Sequence, residues 1–172
     1  MVERHIIIGD VHGCLRELDL LLEGILPQPQ DQVIFVGDLV DKGPEVRLAD
    51  LSSKLRRELG VLVRTRHVDA ESGNMISLGK ENPEDPFWAD VYDGRFGRVV
   101  FGHAPQGQVA FGSGPPQFIP QQAEYPHAVG IDLGCVFGGA LAALVLRSDA
   151  GEELHMVQSS GKFAQHFDER EQ

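Results

Sequence analysis

Two short glycine-flanked segments carry the residue types best suited to chemistry: Gly9-Asp10-Val11-His12-Gly13 and Gly37-Asp38-Leu39-Val40-Asp41-Lys42-Gly43-Pro44. Each follows a run of β-forming residues, Ile6-Ile7-Ile8 and Val33-Ile34-Phe35-Val36, so each delivers a carboxylate where a buried strand runs out. In Asp10-Val11-His12 the two polar side chains are two positions apart, and on an extended backbone they share a face. One hard oxygen and one imidazole held together suit Mn, Fe, Zn or Ni rather than Ca. Asp38 would arrive from a neighbouring strand at the same sheet edge, where open α/β sheets place their ligands. Its two oxygens could bridge two ions about 3.5–4 Å apart. Gly9 and Gly13 let the backbone turn tightly beside an ion. A single Gly-Asp at a strand end is commonly only a turn. Two copies, one with His at the second following position and one leading into Asp-Lys-Gly-Pro, favour a metal centre.

The elements that must position these residues read clearly in the first third of the chain. Strand 5–9 leads into a helix over about 15–23, with Leu15, Leu18, Leu21 and Leu22 at helical spacing. Pro27 and Pro29 close it. Strand 33–37 follows, then a helix starting at Pro44, with Val46, Leu48, Leu51, Leu55 and Leu59 on one side, ending at Gly60. A third strand, Val61-Leu62-Val63, completes a βαβαβ pattern and implies a parallel sheet packed by helices. From 65 to 97 neither period persists, and a structureless stretch of that length is unusual inside a compact domain. Order returns with strand 98–101 and then Gly102-His103. A Gly/Pro/Gln-rich loop over 104–126 follows. Strands 128–132, 140–147 and 153–158 read as antiparallel neighbours joined through Gly134 to Gly139. The expectation is one domain over 1–158 and a polar, frayed tail over 159–172.

Bulk properties narrow the function classes. A chain of 172 residues with 42% hydrophobic content can bury a real core. A net charge of −11 argues against a binder of duplex nucleic acid. It does not exclude an anionic substrate, because bound divalent metals reverse the local field. Two cysteines, Cys14 and Cys135, make neither a disulfide framework nor a zinc cluster, and read as small buried side chains. The apolar runs are too short for a signal segment or a bilayer span. A soluble cytoplasmic protein is expected.

Four segments together resemble the calcineurin-like metallophosphoesterases, in the branch of phosphoprotein phosphatases and symmetrical diadenosine tetraphosphatases. They are GDVHGC at 9–14, GDLVDKGP at 37–44, VVFGHAP at 99–105 and IDLGCVFGGALAALVL at 131–146. The resemblance implies an α/β (α+β) fold: a β-sandwich with flanking helices, N-terminal βαβαβ and C-terminal antiparallel strands. It implies a dinuclear centre hydrolysing phosphate esters or nucleotide phosphoanhydrides through a metal-activated hydroxide, with Mn the first choice of metal. Asp10 and His12 would bind the first ion, Asp38 would bridge, and His103 would bind the second. Lys42 would take a phosphate-binding position where many relatives have Arg, keeping the charge but losing the bidentate fork. Arg64 or Arg66 could serve a phosphate clamp. The implied partners are a phosphorylated small molecule, nucleotide or phosphoprotein.

Two family motifs are missing. Relatives follow the third strand with Gly-Asn-His-Glu or Gly-Asn-His-Asp, supplying a second-metal ligand and the proposed general acid. A later strand ends in His-Ala-Gly or His-Gly-Gly, supplying another ligand. Here Val61-Leu62-Val63-Arg64 runs straight into Thr65-Arg66-His67, as an internal deletion would leave it. Asp41, which in the family orients the acid histidine, has lost its partner. The second ion keeps Asp38 and His103 unless His67 or Asn74 substitutes. Impaired activity is expected, one or two ions per chain, and a silent metal-binding remnant that associates with other copies is the alternative.

Overall fold

Ile6, Ile7 and Ile8 are all buried, but they serve two different cores. The reason is the two-residue period of a strand: alternate side chains leave opposite faces. Ile6 and Ile8 pack with Leu21 and Ile25 of a helix, whereas Ile7 packs with Val129 and Ile131 of a second sheet. A strand covered on both sides needs a continuous apolar run, and that is what the segment provides.

The structure is a computed structural model and describes residues 4–38, 66–74, 76, 79–95, 97–110, 117–148 and 151–164. Strand β1 (Arg4–Ile8), helix α1 (Leu15–Ile25) and strand β2 (Gln32–Phe35) form a βαβ unit, with β1 and β2 parallel. The chain then gives a short helix α2 (Trp88–Val91) and strands β3 (Val99–Phe101), β4 (Gly107–Ala110), β5 (Gln117–Pro120), β6 (Ala123–Tyr125) and β7 (Ala128–Gly130). A 3-10 turn at Cys135–Phe137 leads to β8 (Ala140–Arg147) and β9 (Gly151–Gln158). One sheet has the order β2-β1-β8-β9 and another β3-β7-β6, while β4 and β5 pair as a hairpin.

Register fixes the layering. In the antiparallel β1–β8 pair, Ile6 faces Val145 and Ile8 faces Ala143, all four on the α1 side. Ile7 faces Leu144, both on the side of the second sheet. The layers therefore run helix, four-stranded sheet, three-stranded sheet, a sandwich with a flanking helix. Each fully buried Ile or Leu here contributes about 1.5–3 kcal/mol relative to exposure. Helix α1 stops at Leu26, which adopts the left-handed conformation (φ 53°) and donates its N–H to the Leu22 carbonyl at 2.9 Å. Arg4 donates to the carbonyls of Ile25 and Leu26 and to the Asp31 carboxylate. It thereby satisfies a helix end that would otherwise lack donors.

Several expectations need correction. The 128–132 segment is not an antiparallel neighbour of β8; β7 lies in the second sheet, parallel to β3. Its run is apolar on both faces, so pattern alone does not say which sheet it joins. The 104–126 region holds β4, β5 and β6 rather than a plain loop. The 65–97 region has order without period. His67 bridges Phe87, and Phe87, Trp88, Phe101 and Tyr125 pack as an aromatic cluster with ring centroids 4.9–6.0 Å apart. Residues 159–164 are docked: Phe163 and Ala164 donate N–H groups to the Val136 carbonyl and pack against the helix-side core. Leu15 is 40% exposed rather than part of that core. The expected helix from Pro44 and strand 61–63 lie outside the described residues, as do Asp41, Lys42 and Arg64. Among the described residues no helix is long and apolar enough to cross a membrane.

Candidate metal centre

The chain leaves β1 through Gly9, and there the two-sheet packing becomes tight. A Cβ at Gly9 would lie 2.5 Å from the Ile131 carbonyl oxygen, so glycine here permits close approach to the second layer. Beyond it the backbone does not stay extended. His12 has φ 49° and Gly13 φ 73°, so Asp10 and His12 converge across a turn rather than along one strand face. The turn is held from the other motif: the Asp38 carbonyl accepts from the N–H groups of Val11 (3.0 Å) and His12 (2.8 Å). The two glycine-flanked segments are thus one hydrogen-bonded unit.

Asp10 is the buried hub. Its Oδ1 accepts from the His103 N–H at 2.7 Å and its Oδ2 from the Asp38 N–H at 3.1 Å. Space for the carboxylate exists because two neighbours lack side chains. A Cβ at Gly37 would sit 1.7 Å from Asp10 Oδ1, and one at Gly102 would sit 2.3 Å from it. Burial pushes the Asp10 carboxyl above the ordinary range, with the His103 and Asp38 N–H groups opposing that shift. A nearby cation would relieve the same cost.

Around this hub, His12 Nε2 lies 3.6 Å from Asp10 Oδ2 and 3.8 Å from Asp38 Oδ2. These separations exceed a hydrogen bond and leave room for an ion between the groups. Ligand atoms of Asp10, His12 and Asp38 all lie within 4.8 Å of one another. Two carboxylates and an imidazole fit a borderline divalent ion. His103 Nδ1 approaches the same Asp38 Oδ2 at 3.3 Å. His103 is also left-handed, at φ 64°, a sparsely populated conformation typical of functional turns. The side chains of Asp38 and His103 are 35% and 21% exposed, against 6% for His12, so the site opens to solvent on the His103 side.

The structure thus brings Asp10, His12, Asp38 and His103 together. It also places Arg66 beside them, donating from Nη2 to the His103 carbonyl at 3.1 Å. His67 packs edge-on against Phe87, and Asn74 lies in an exposed turn with its carbonyl accepting from the Asp69 N–H. Neither belongs to the ligand group found among the described residues. One participant escaped the sequence reading. Asp132 is buried, its Oδ1 accepting from the Gly134 N–H at 3.0 Å. Burial first, and the Asp10 charge second, push its carboxyl well above the usual range, while Arg66 opposes the shift. The signal available was local: Asp-x-Gly is a turn-forming spacing in which an aspartate bonds the backbone two residues on.

Comparison with known proteins agrees with this geometry. The calcineurin-like phosphoesterase family model matches residues 4–68. The chain is 40% identical over 62 residues to the asymmetrical bis(5'-nucleosyl)-tetraphosphatase PrpE of Oceanobacillus iheyensis, covering 30% of this chain and 25% of that protein. It is 59% identical over 39 residues to a symmetrical bis(5'-nucleosyl)-tetraphosphatase of Coxiella burnetii, covering 22% of this chain and 13% of that protein. With serine/threonine-protein phosphatase 1 of Salmonella typhimurium it shares 33% identity over 114 residues, covering 63% of this chain and 48% of that protein. The chain therefore spans less than half the length of these curated relatives. A solved structure described as "a putative diadenosine tetraphosphatase" has the same fold, with a TM-score of 0.65 at 22% identity over 94% of this chain and 96% of that one. Over residues 4–68 the chain is thus similar to the calcineurin-like phosphoesterases, and its fold is that of the solved structure.

Proposed function

We propose that the chain is a metal-dependent phosphoesterase acting on phosphate monoesters or nucleotide phosphoanhydrides, at a rate below that of a complete dinuclear site. The observation that carries this reading is the convergence of Asp10, His12 and Asp38 on one space, with His103 against the same Asp38 oxygen that faces His12. Asp10, His12 and Asp38 would hold the first ion. Asp38 and His103 would hold the second. Mn is the metal proposed, with Fe, Zn or Ni as alternatives. A divalent ion there supplies Lewis acidity toward phosphoryl oxygens and lowers the pKa of water.

The chain's own groups do the rest. Arg66, anchored at the His103 carbonyl, stands where a guanidinium could meet a phosphate of the substrate, with Lys42 and Arg64 as further cations in this proposal. Asp41 lacks the histidine it would orient, so no group of the family pattern protonates the departing oxygen. Loss of that help costs about 10²–10⁴ in rate and favours good leaving groups, aryl phosphates and nucleotide anhydrides over serine phosphate. The relatives named for bis(5'-nucleosyl) tetraphosphates and for protein phosphatase activity support nucleotide and phosphoprotein substrates as the classes to try. A cytoplasmic setting is part of the same proposal.

A Mn-supplemented assay on p-nitrophenyl phosphate, with metal analysis, tests this. Asp38→Asn should cut turnover by about 10²-fold or more, since even residues that only support a ligand cost 10–100-fold. Two tightly bound ions with brisk serine-phosphate hydrolysis would overturn the impairment. A second reading has its own observation: among the described residues the convergent ligand group at this site is Asp10, His12 and Asp38, and His103 is not part of it. In that reading the chain is a silent remnant that binds one ion and acts by association with other copies. Metal binding with no turnover on any phosphate would select it.

A further inference from the structure

Behind the turn that carries His12 lies a second polar cluster that the phosphoesterase reading does not use. Cys14 immediately precedes α1, and Cys135 opens the 3-10 turn after Gly134. Neither is in a disulfide, and both are fully enclosed, at 0% and 1% exposure. The two sulfurs and a Glu17 carboxylate oxygen all lie within 4.8 Å of one another. They are far apart in sequence, and they join two loops of the metal centre: the turn of Asp10 and His12, and the Asp132–Gly134 loop.

Three candidate ligands in one place could mean a soft metal, but Glu17 is already engaged. Its Oε1 accepts the Ser160 N–H at 2.8 Å, and the Ser160 hydroxyl bonds it as well. Glu17 serves to anchor the segment 159–161 over the two sulfurs. Beside it the two sulfurs are close neighbours, each on a different loop of the candidate centre. We propose that Cys14 and Cys135 are a redox couple that closes to an internal disulfide, cross-linking the His12 turn to the Asp132 loop.

The co-reactant is a small disulfide. One protein thiolate attacks a sulfur of that disulfide, forming a mixed disulfide and releasing one thiolate. The second protein thiolate attacks the protein sulfur of the mixed disulfide and releases the other. Both protein thiol protons end on the released thiols, and the protein pair loses two electrons. The neighbouring Cys14 and then burial push the Cys135 thiol up, and both sulfurs are enclosed, so the exchange is slow and proceeds through local opening. The product closes a loop spanning most of the chain and restricts the unfolded state.

The experiment uses the full chain incubated natively with oxidised glutathione, then unfolded and treated with iodoacetamide. The expected result is a mass loss of about 2 Da with no alkylation, and a cross-linked peptide pair containing Cys14 and Cys135. The thermal midpoint of the oxidised protein should rise by roughly 10 °C and fall back on reduction. Cys14→Ser and Cys135→Ser should each abolish the mass change; should either fail to fold, the peptide map of the wild type still decides. Two alkylatable thiols after treatment, stable mixed disulfides, or cross-linked dimers would overturn the proposal. So would zinc found in the untreated protein and lost on Cys135→Ser, because the pair would then be a metal site.

Discussion

The two sides of the candidate centre are built differently. On the His12 side, three ligands converge under heavy constraint: Asp10 is held by two N–H groups, Gly37 and Gly102 leave room for its carboxylate, and the Asp38 carbonyl ties down the facing turn. On the other side, His103 sits on a left-handed turn braced at its carbonyl by Arg66, and it approaches the same Asp38 Oδ2 that faces His12. The first side is preorganised by backbone geometry that glycine makes possible. The second depends on ligands delivered by other segments. The supports of the His12 half are the backbone where β1 and β2 end and the glycines beside it.

The sharpest way to break that contrast is to remove one histidine from each side. His12→Ala should lower the affinity of the tighter ion by about 10²-fold or more, whereas His103→Ala should leave it within about tenfold. Calorimetric titration with Mn on both variants checks this. Equal losses would mean that a single ion sits between the two halves and that the sides are not separate.

A smaller effect is expected from crowding the hub. Gly37→Ala would drive a methyl into Asp10 Oδ1, and Gly102→Ala would meet that oxygen and the Val36 carbonyl together. Each should destabilise the fold by about 1–3 kcal/mol and weaken metal binding in parallel. Gly24→Ala is the control. Nothing lies within 4 Å of its Cβ position in α1, so it should stabilise by about 0.5–1 kcal/mol. Denaturant midpoints for the three variants sharpen the claim that the glycines around Asp10 serve the site rather than the chain's flexibility.

How much of this could be read from residues alone differs between the same two sides. Strands β1 and β2 and helix α1 were legible because period and punctuation are local: Ile6-Ile7-Ile8, the leucines of α1, Pro27. Asp10, His12 and Asp38 stood out because each follows a strand. The second sheet was not legible, since β7 is apolar on both faces and its partner β3 precedes it by a long segment. The 65–97 region lacks period because its order comes from aromatic rings meeting across the chain, Trp88 on Phe101 and Phe87 on Tyr125. The bracing of His103 by Arg66 and the closeness of Asp132 to Asp10 are likewise contacts between distant positions. No spacing rule encodes them.

The finest test of the contrast uses pH. Asp132 and Glu17 are both buried carboxylates, but they titrate in opposite directions. Glu17 is pushed up by burial, yet the bonds from Ser160 outweigh that and hold it below the ordinary value of 4.5. Its contribution is present above that value and is lost as pH falls through the lower value of the folded protein. Asp132 is raised well above 3.8 by burial and the Asp10 charge. The unfolded chain releases its proton first, so Asp132 makes the fold less stable as pH rises from about 4 through the raised value. Asp132→Asn keeps an oxygen for the Gly134 N–H and removes that slope. The variant should lie closest to wild type near pH 4 and exceed it increasingly as pH rises toward 8, measured by denaturant unfolding without metal. Added Mn should narrow the gap, because a cation beside Asp10 neutralises the charge that Asp132 opposes. A gap that does not change with pH, or that widens with metal, would show that Asp132 is electrically separate from the preorganised side.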